Sequence, residues 1–508
     1  MPVTPQGAAP KEDRIVMFDR RHFIAGSSAL ATAAAFAPRM AFAAERADVV
    51  IVGAGLSGMN AAMLLSDLGM KVIVLDASDK VGGRVRTIDT VDGPLDVGAS
   101  QVGRGYARVI DACQKLGLQL VPEDRDLLAF GAHMLGGWID TKTWESNPLN
   151  QTVGDERRIP PHLMGQAMVA KYNPLKELDE WLDPKYAPMD ISLRQLMQQK
   201  GHSAAAIELA KFSAPGIGID ETSMLRMWQE ETRGALDRKL GSEPPRRDHP
   251  FGEANDHKLI NGLASISNIV GGCAALPRAM AARLGDAIRL GKRAARISLT
   301  DKGGTVTCAD GSVYAGRYIV SALPFTMLRD VAIEGKPNPT ARAAITQMPY
   351  ANTARMYLTA EKPFWLEDGL PPSFSTDGPI GMFWAIDNHT GTGRHRAMVV
   401  MVGKVGQAIA SMDAAQAQAF VLDELVKLRP AAKGNLRFVA YKDWMRDPLQ
   451  RGCGFSLAPG QVNGFARDMV KPWQVLHFAG EHTRRLDFGM ESAMESGERV
   501  AIEIAARG

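Results

Sequence analysis

Asp48-Val49-Val50-Ile51-Val52-Gly53-Ala54-Gly55-Leu56-Ser57-Gly58 is the stretch on which the fold turns. It is followed by an Ala- and Leu-rich run from Met59 to Leu68, then by Lys71 to Leu75 and Asp76. The unbroken apolar run in Ala47–Val52 predicts a parallel strand covered on both faces. Met59–Leu68 predicts a helix, and Lys71–Leu75 a second strand. Gly53 permits the tight turn, Gly55 lets backbone approach a pyrophosphate, and Gly58 allows close packing of helix on strand. The unpaired N–H groups that open the helix face the phosphates. Asp76, about 20 residues on, stands where a carboxylate accepts hydrogen bonds from ribose hydroxyls. A lone GxGxxG is weak, since any glycine-rich turn yields those letters. Strand, glycines, helix, strand and acid in this order predict a dinucleotide-binding βαβ unit, with Ala54, Leu56 and Ser57 completing the loop.

The rest of the composition suits a soluble globular protein. The chain has 508 residues, enough for roughly two or three domains. Hydrophobic residues make up 45% and charged residues 23%, which excludes wholesale disorder, collagen-like repeats and a polytopic membrane protein. The 59 basic and 56 acidic side chains leave a net charge of +3 with no long basic run, so no nucleic-acid partner is expected. Cys113, Cys273, Cys308 and Cys453 are scattered and form no CxxC pair. The ten histidines include no HxH or HExxH, so no metal site is expected.

The first 43 residues read as a targeting segment. Arg20-Arg21 precedes an apolar stretch, Ala25 to Ala37, and then the small-x-small site Ala41-Phe42-Ala43. These are the parts of a cleaved secretory signal, and the twin arginine is similar to a Tat export signal. The alternative, a membrane anchor, is disfavoured: the stretch falls short of the ~20 residues that span a bilayer, and Arg39 ends it. Met17 offers a second start just before the pair. Removing residues 1–43 takes away five basic and three acidic side chains and leaves a net charge of +1. The expected location is the periplasm, reached folded through the Tat translocon.

Further motifs follow in a fixed order. Gly82-Gly83-Arg84-Val85-Arg86-Thr87 comes soon after Asp76, then Leu95-Asp96-Val97-Gly98-Ala99-Ser100. Later come Val270-Gly271-Gly272 with Leu276-Pro277, a strand predicted over 289–297 that contains Ala294, Tyr318 to Pro324, and Pro363-Phe364-Trp365. Phe478-Ala479-Gly480-Glu481 and Gly489-Met490 to Gly497 close the chain. In this order the segments resemble the flavin-containing amine oxidase superfamily of monoamine, polyamine and L-amino-acid oxidases.

The resemblance implies an α/β fold and FAD as cofactor. It places Gly82, Gly83 and Arg84 on the FAD diphosphate, and Gly98, Ala99 and Ser100 beside the isoalloxazine ring. The Ala294 backbone meets the adenine, Gly480-Glu481 binds the ribityl chain, and the helix opening at Gly489-Met490 directs its dipole at the flavin. Trp444 and Cys453 align with the family's flavin-proximal positions. The expected architecture is a discontinuous, Rossmann-like FAD domain of the GR2 type (45–105, 260–335 and 440–508). A substrate domain of mixed sheet plus helices (106–260 and 336–440) accompanies it. Within that domain 106–260 reads as helical and loop-rich, 336–440 as alternating strands, and Gly241–Asp248 as a turn or exposed loop.

Three departures from the family pattern shape the functional expectation. Arg355 stands where many members hold a lysine that assists reoxidation by O₂; a guanidinium stays protonated and cannot shuttle a proton. Its alternative role is an ion pair with an acid on the sheet. Gly454 and Gly489 stand where monoamine oxidases carry two aromatic rings around the substrate amine, which implies a bulkier substrate. Phe488 offers an aromatic wall or core packing, and Gln101 a polar handle near the ring. Cys453, nine residues after Trp444, matches a cysteine that bonds the flavin in some members, or serves as a small core residue.

The function these features imply is FAD-dependent oxidation of an amine C–N bond. Hydride passes to flavin N5, the imine is hydrolysed, and electrons go to O₂, giving H₂O₂, or to a periplasmic acceptor. Alternatives are a flavin-dependent desaturase of an isoprenoid or polycyclic substrate and a flavoprotein electron carrier without turnover. A homodimer stays open.

Overall fold

The computed structural model describes residues 44–507 apart from 92, 123–124, 127–129, 215, 243–265 and 389–394. The export segment read in residues 1–43 lies outside the described residues.

The first sheet is built around β1 (Glu45–Val52), which pairs in parallel with β2 (Val72–Leu75) and with Val313–Ser321. Val49 to Val52 are at most 2% exposed. That burial on both faces explains why the strand lacks polar alternation. Helix α1 (Leu56–Asp67) follows the glycine loop and starts three residues earlier than the apolar run suggested. Beyond Val313–Ser321 the sheet continues through Gly304–Cys308, Ala294–Leu299 and Ala332–Glu334, while Leu476–Phe478 pairs with the second half of Val313–Ser321. This is the doubly covered α/β framework expected from the βαβ unit.

The second sheet is mixed and mostly antiparallel. It runs from β4 (Leu436–Asp443) through β3 (Thr353–Ala360), His395–Val402, Met382–Asn388 and Ser373–Thr376 to Phe130–Met134 and Gly137–Ile139. Period-2 alternation on β3 sends Ala354, Met356 and Leu358 into an apolar core and turns Arg355 and Tyr357 to the other face. Long helix α2 (Met224–Ser242) packs near the site, and the terminal helix α3 (Gly489–Ala505) lies against α1. A Cβ at Gly497 would stand 2.4 Å from the Ser57 carbonyl, so glycine is what lets these two helices touch.

Several local expectations need correction. The strand read over 289–297 breaks into Ile288–Arg289 and Ala294–Leu299. Gly291, at φ +70°, turns the chain so that Gly291 N–H and Lys292 N–H donate to the carbonyls of Ser78 and Asp76. The 106–260 stretch contributes strands Phe130–Met134 and Gly137–Ile139 to the second sheet as well as helices. Gly241 and Ser242, read as loop, end α2; 243–248 lie outside the described residues. The 336–440 stretch holds a 15-residue helix, Ala414–Leu428, opened by a reciprocal cap between Asp413 and Gln416. That capping box was readable in the sequence.

Candidate active site

The glycine loop, the two motif loops after Asp76 and the start of α3 wall one elongated cavity of about 1600 Å³, counting its open mouth. Each loop glycine has its own reason to be glycine. Gly53 adopts φ +113°, with the Ala322 carbonyl 3.1 Å from where a Cβ would sit. At Gly58 a Cβ would stand 2.0 Å from the Gly53 carbonyl oxygen. At Gly55, by contrast, a Cβ meets no protein atom within 4 Å, and the residue lines the cavity. Gly55 also N-caps α1 without any side-chain cap, so the first N–H groups of the helix are left for a ligand.

Asp76 closes this end. Its Oδ2 accepts from the Ala54 amide at 2.7 Å and its Oδ1 from the Ser78 amide at 2.8 Å. Burial raises its carboxyl above the ordinary value against the pull of those two amides and of Arg86. Lys80, Arg84, Arg86, Lys292 and Arg293 also reach the walls, and with Arg355 they set six cations against Asp76, Asp330 and Glu481. That balance favours a ligand carrying negative charge.

The two motif loops interlock. The Ala99 amide donates to the Arg84 carbonyl at 3.1 Å, and a Cβ at Gly98 would stand 2.0 Å from that same oxygen. Asp96 ties them to the 272–274 turn by accepting from the Cys273 amide at 3.0 Å and from the Thr87 hydroxyl at 2.5 Å. Tyr357 donates to the Asp96 carbonyl at 2.9 Å and Arg355 Nη1 to the Gly98 carbonyl at 3.1 Å, so these two side chains of β3 brace the loop. Arg355 Nε is buried without a partner, and among the described residues no carboxylate lies within ion-pair distance of Arg355. The expected alternative of an acid partner on the sheet is thereby set aside.

On the cavity wall Glu481 Oε2 is buried with no hydrogen-bond partner. Its carboxylate lies 3.8 Å from Arg84 and 3.7 Å from Arg484. His482, the next residue, also lines the wall; both its ring nitrogens are buried and unpartnered. Burial, helped by Arg84 and Arg499, pushes its pKa down to about 3, so the imidazole is neutral at physiological pH. Beyond it α3 opens at Gly489, φ +62°, with no side-chain cap.

Cys453 lies half-exposed on the wall as a free thiol, and its carbonyl accepts from Arg84. Gly452, before it, has φ +151° and the Tyr350 Cβ 2.7 Å from where its own Cβ would be. Trp444, 1% exposed, walls the cavity beneath the Lys442 ammonium, 4.3 Å from the ring centroid.

The structure therefore gathers Gly53, Gly55, Leu56, Ser57, Asp76, Gly82, Gly83, Arg84, Gly98, Ala99, Ala294, Arg355, Trp444, Cys453, Gly454, Gly480, Glu481, Gly489 and Met490 around one space. Ala54 and Gly58 stand behind it. Ser100, Gln101 and Phe488 are not among its walls. Phe488 packs edge-on against Tyr106, centroids 6.2 Å apart, and carries the Arg233 guanidinium over its ring; it is core packing rather than a wall. The two glycines also differ. A Cβ at Gly454 meets nothing within 4 Å, whereas one at Gly489 would stand 3.0 Å from the Tyr106 hydroxyl. Extra room exists at Gly454 alone. His482, Lys292 and Arg293 went unread in the sequence; only the adjacency of His482 to Glu481 offered a signal. Among the described residues no cluster of His, Cys, Asp or Glu could hold a metal ion, and no helix is long and apolar enough to cross a membrane.

Residues 56–505 match the family described as flavin containing amine oxidoreductase. A probable flavin-containing monoamine oxidase A from Dictyostelium discoideum is 25% identical over 469 residues, covering 90% of this chain and 97% of that protein. Flavin-containing amine oxidase B from Homo sapiens is 25% identical over 488 residues, 91% of this chain and 86% of that one. A solved structure of a putrescine oxidase bound to putrescine superposes with a TM-score of 0.72 at 21% identity, over 92% of this chain and all of the other.

Proposed function

The chain belongs to the flavin containing amine oxidoreductase family and is a flavin-dependent amine oxidoreductase, and from that premise we propose that FAD fills this cavity and that the substrate is an amine bulkier than a simple arylalkylamine. One observation carries the cofactor reading: the buried, partnerless Oε2 of Glu481 on the cavity wall. An acceptor left so costs about 1–3 kcal/mol unless a ligand donor reaches it. The Gly55 cradle and the uncapped start of α1 suit a diphosphate, Asp76 suits ribose hydroxyls, and Glu481 suits a polyol chain.

Once bound, the flavin supplies an acceptor for the hydride on the carbon bearing the amine nitrogen, and the imine product hydrolyses in water. The chain's own part is to bind, orient and dry the site. Trp444, Ala99 and Met490 present apolar surface, which disfavours a charged ammonium and keeps the amine neutral. Arg355 braces the Gly98 carbonyl, and a guanidinium offers charge but no mobile proton. We read this as favouring an electron acceptor other than O₂. Room at Gly454 supports the bulkier substrate.

Anaerobic mixing of the yellow protein with a panel of amines, followed at the flavin absorbance, tests this reading. The expected result is bleaching by a subset of bulky amines. Folded, colourless protein that yields no flavin on denaturation, either released or still attached to the polypeptide, overturns the cofactor assignment, and flavin that no amine bleaches overturns the activity in favour of a desaturase or carrier. The same denaturation reads Cys453: flavin that stays with the polypeptide marks a thioether, and released flavin leaves Cys453 as a wall residue. Arg20-Arg21 supports a further proposal, export of the folded holoenzyme to the periplasm.

A further inference from the structure

Behind Glu481 runs a chain of five alternating charges. Arg84 Nη1 stands 3.8 Å from Glu481 Oε2, and Arg484 Nη1 stands 3.7 Å from Glu481 Oε1. Arg484 Nη2 lies 3.3 Å from Glu230 Oε1, and that same oxygen lies 2.8 Å from Arg226 Nη1. Arg226 and Glu230 sit one turn apart on α2, while Arg484 follows the cavity loop. Both guanidiniums also lie 4.9 Å from the Phe455 ring centroid.

The side chains of Arg484 and Arg226 are 1% and 6% exposed. A guanidinium at that depth costs several kcal/mol unless it is paired, and Arg484 has only Glu230 and Glu481 as carboxylate partners among the described residues. Burial lowers the Arg484 pKa to about 10, still far above neutrality. For Glu230 burial works against ionisation, yet Arg226 and Arg484 hold its pKa down to about 2. Arg484 therefore cannot swing away from Glu481 without uncovering a buried charge, and Glu481 Oε1 is drawn toward it.

Building on the cofactor reading above, we propose that Arg484 is a positioning residue for FAD. Backed by Glu230 and Arg226, it holds the Glu481 carboxylate turned so that Oε2 is offered to a hydroxyl of the flavin side chain. The helix α2, in a stretch whose sequence carries no cofactor motif, thereby sets how firmly the cofactor is held.

The test measures FAD affinity by fluorescence quenching on apo-protein, with thermal unfolding of the same apo-protein in parallel. Arg484→Met should weaken FAD binding at least about tenfold, the scale seen when the partners that orient a ligating group are removed. Arg484→Lys, which keeps the charge, should recover part of that loss. The double variant Arg484→Met, Glu481→Gln should bind no more weakly than Glu481→Gln alone, because both act through one carboxylate. A purely structural role predicts lower apo stability, no rescue by lysine and additive losses; that pattern, or an unchanged affinity in Arg484→Met, overturns the proposal. Should Arg484→Met fail to fold, Glu230→Gln carries the test: several-fold weaker FAD binding supports the role and unchanged binding overturns it. Wild-type apo-protein that takes up no FAD at all would instead overturn the cofactor reading.

Discussion

Arg355 Nη1 donates to the Gly98 carbonyl at 3.1 Å while its Nε is buried without a partner. The guanidinium thus sits on the cavity wall as a fixed cation that no carboxylate neutralises among the described residues. Lysine in its place would bring a smaller ammonium with an exchangeable proton. Arg355→Lys is expected to raise the rate at which photoreduced enzyme reacts with O₂, with the amine reduction step unchanged within about threefold. Stopped-flow reoxidation against O₂ concentration checks this. A wild type already as fast as a typical oxidase, or a lysine variant no faster, leaves Arg355 as only a brace for the loop.

Gly55 and Gly58 separate cofactor binding from folding. A Cβ at Gly55 meets no protein atom, so Gly55→Val should fold with near-normal stability and fail to load flavin. A Cβ at Gly58 would stand 2.0 Å from the Gly53 carbonyl, so Gly58→Val should destabilise the fold itself by about 3 kcal/mol. Flavin content together with urea unfolding distinguishes the two. Normal loading of Gly55→Val would falsify the cradle.

The neutral, buried His482 predicts an acid-sensitive fold. Its pKa is depressed in the folded state to about 3, below the unfolded value, so the unfolded chain binds the extra proton. Its contribution is complete above the unfolded pKa and is lost as pH falls from there toward 3. Over that window a single proton changes stability by about 1.4 kcal/mol per pH unit. His482→Phe should flatten the pH dependence of apo-protein unfolding between pH 6 and 4 by close to one proton. An unaltered slope would mean that the imidazole is already solvated or paired.

Substrate size is predicted to be controlled at Gly454. A side chain there enters open space, so Gly454→Phe should fold normally and raise KM for the bulkiest amine substrates about tenfold, a pocket effect of roughly 1–3 kcal/mol. Small amines should be spared. The same substitution at Gly489 should instead perturb the fold, because φ is +62° and the Tyr106 hydroxyl occupies the place. Equal effects of Gly454→Phe on large and small amines would remove position 454 from the substrate pocket.

Export, as proposed, is expected to require Arg20 and Arg21. Changing Arg20 and Arg21 to Lys should leave FAD-loaded protein in the cytoplasm, as cell fractionation would show. Unchanged export of the double variant excludes the twin-arginine route.

What the sequence determined by itself are the features with a short-range cause. An apolar run, glycines at 53, 55 and 58 and an acid at 76 dictate a strand, a tight turn, an uncapped helix and a carboxylate at a strand end. Each answers to backbone geometry within a few residues, and the structure shows the steric reason at Gly53 and Gly58 and open cavity at Gly55. Asp413 and Gln416 show the same kind of local signal, present and unread. Tertiary structure alone decided which distant side chains meet. The Phe488 ring faces Tyr106, a partner 382 positions away along the chain, so no local pattern could tell wall from core. Gly454 and Gly489 read alike as letters, yet only the folded chain puts a phenol beside one and empty space beside the other. The ion chain from Arg226 to Arg84 joins three separate segments, because buried charges are paired by proximity in space and their spacing in sequence is free.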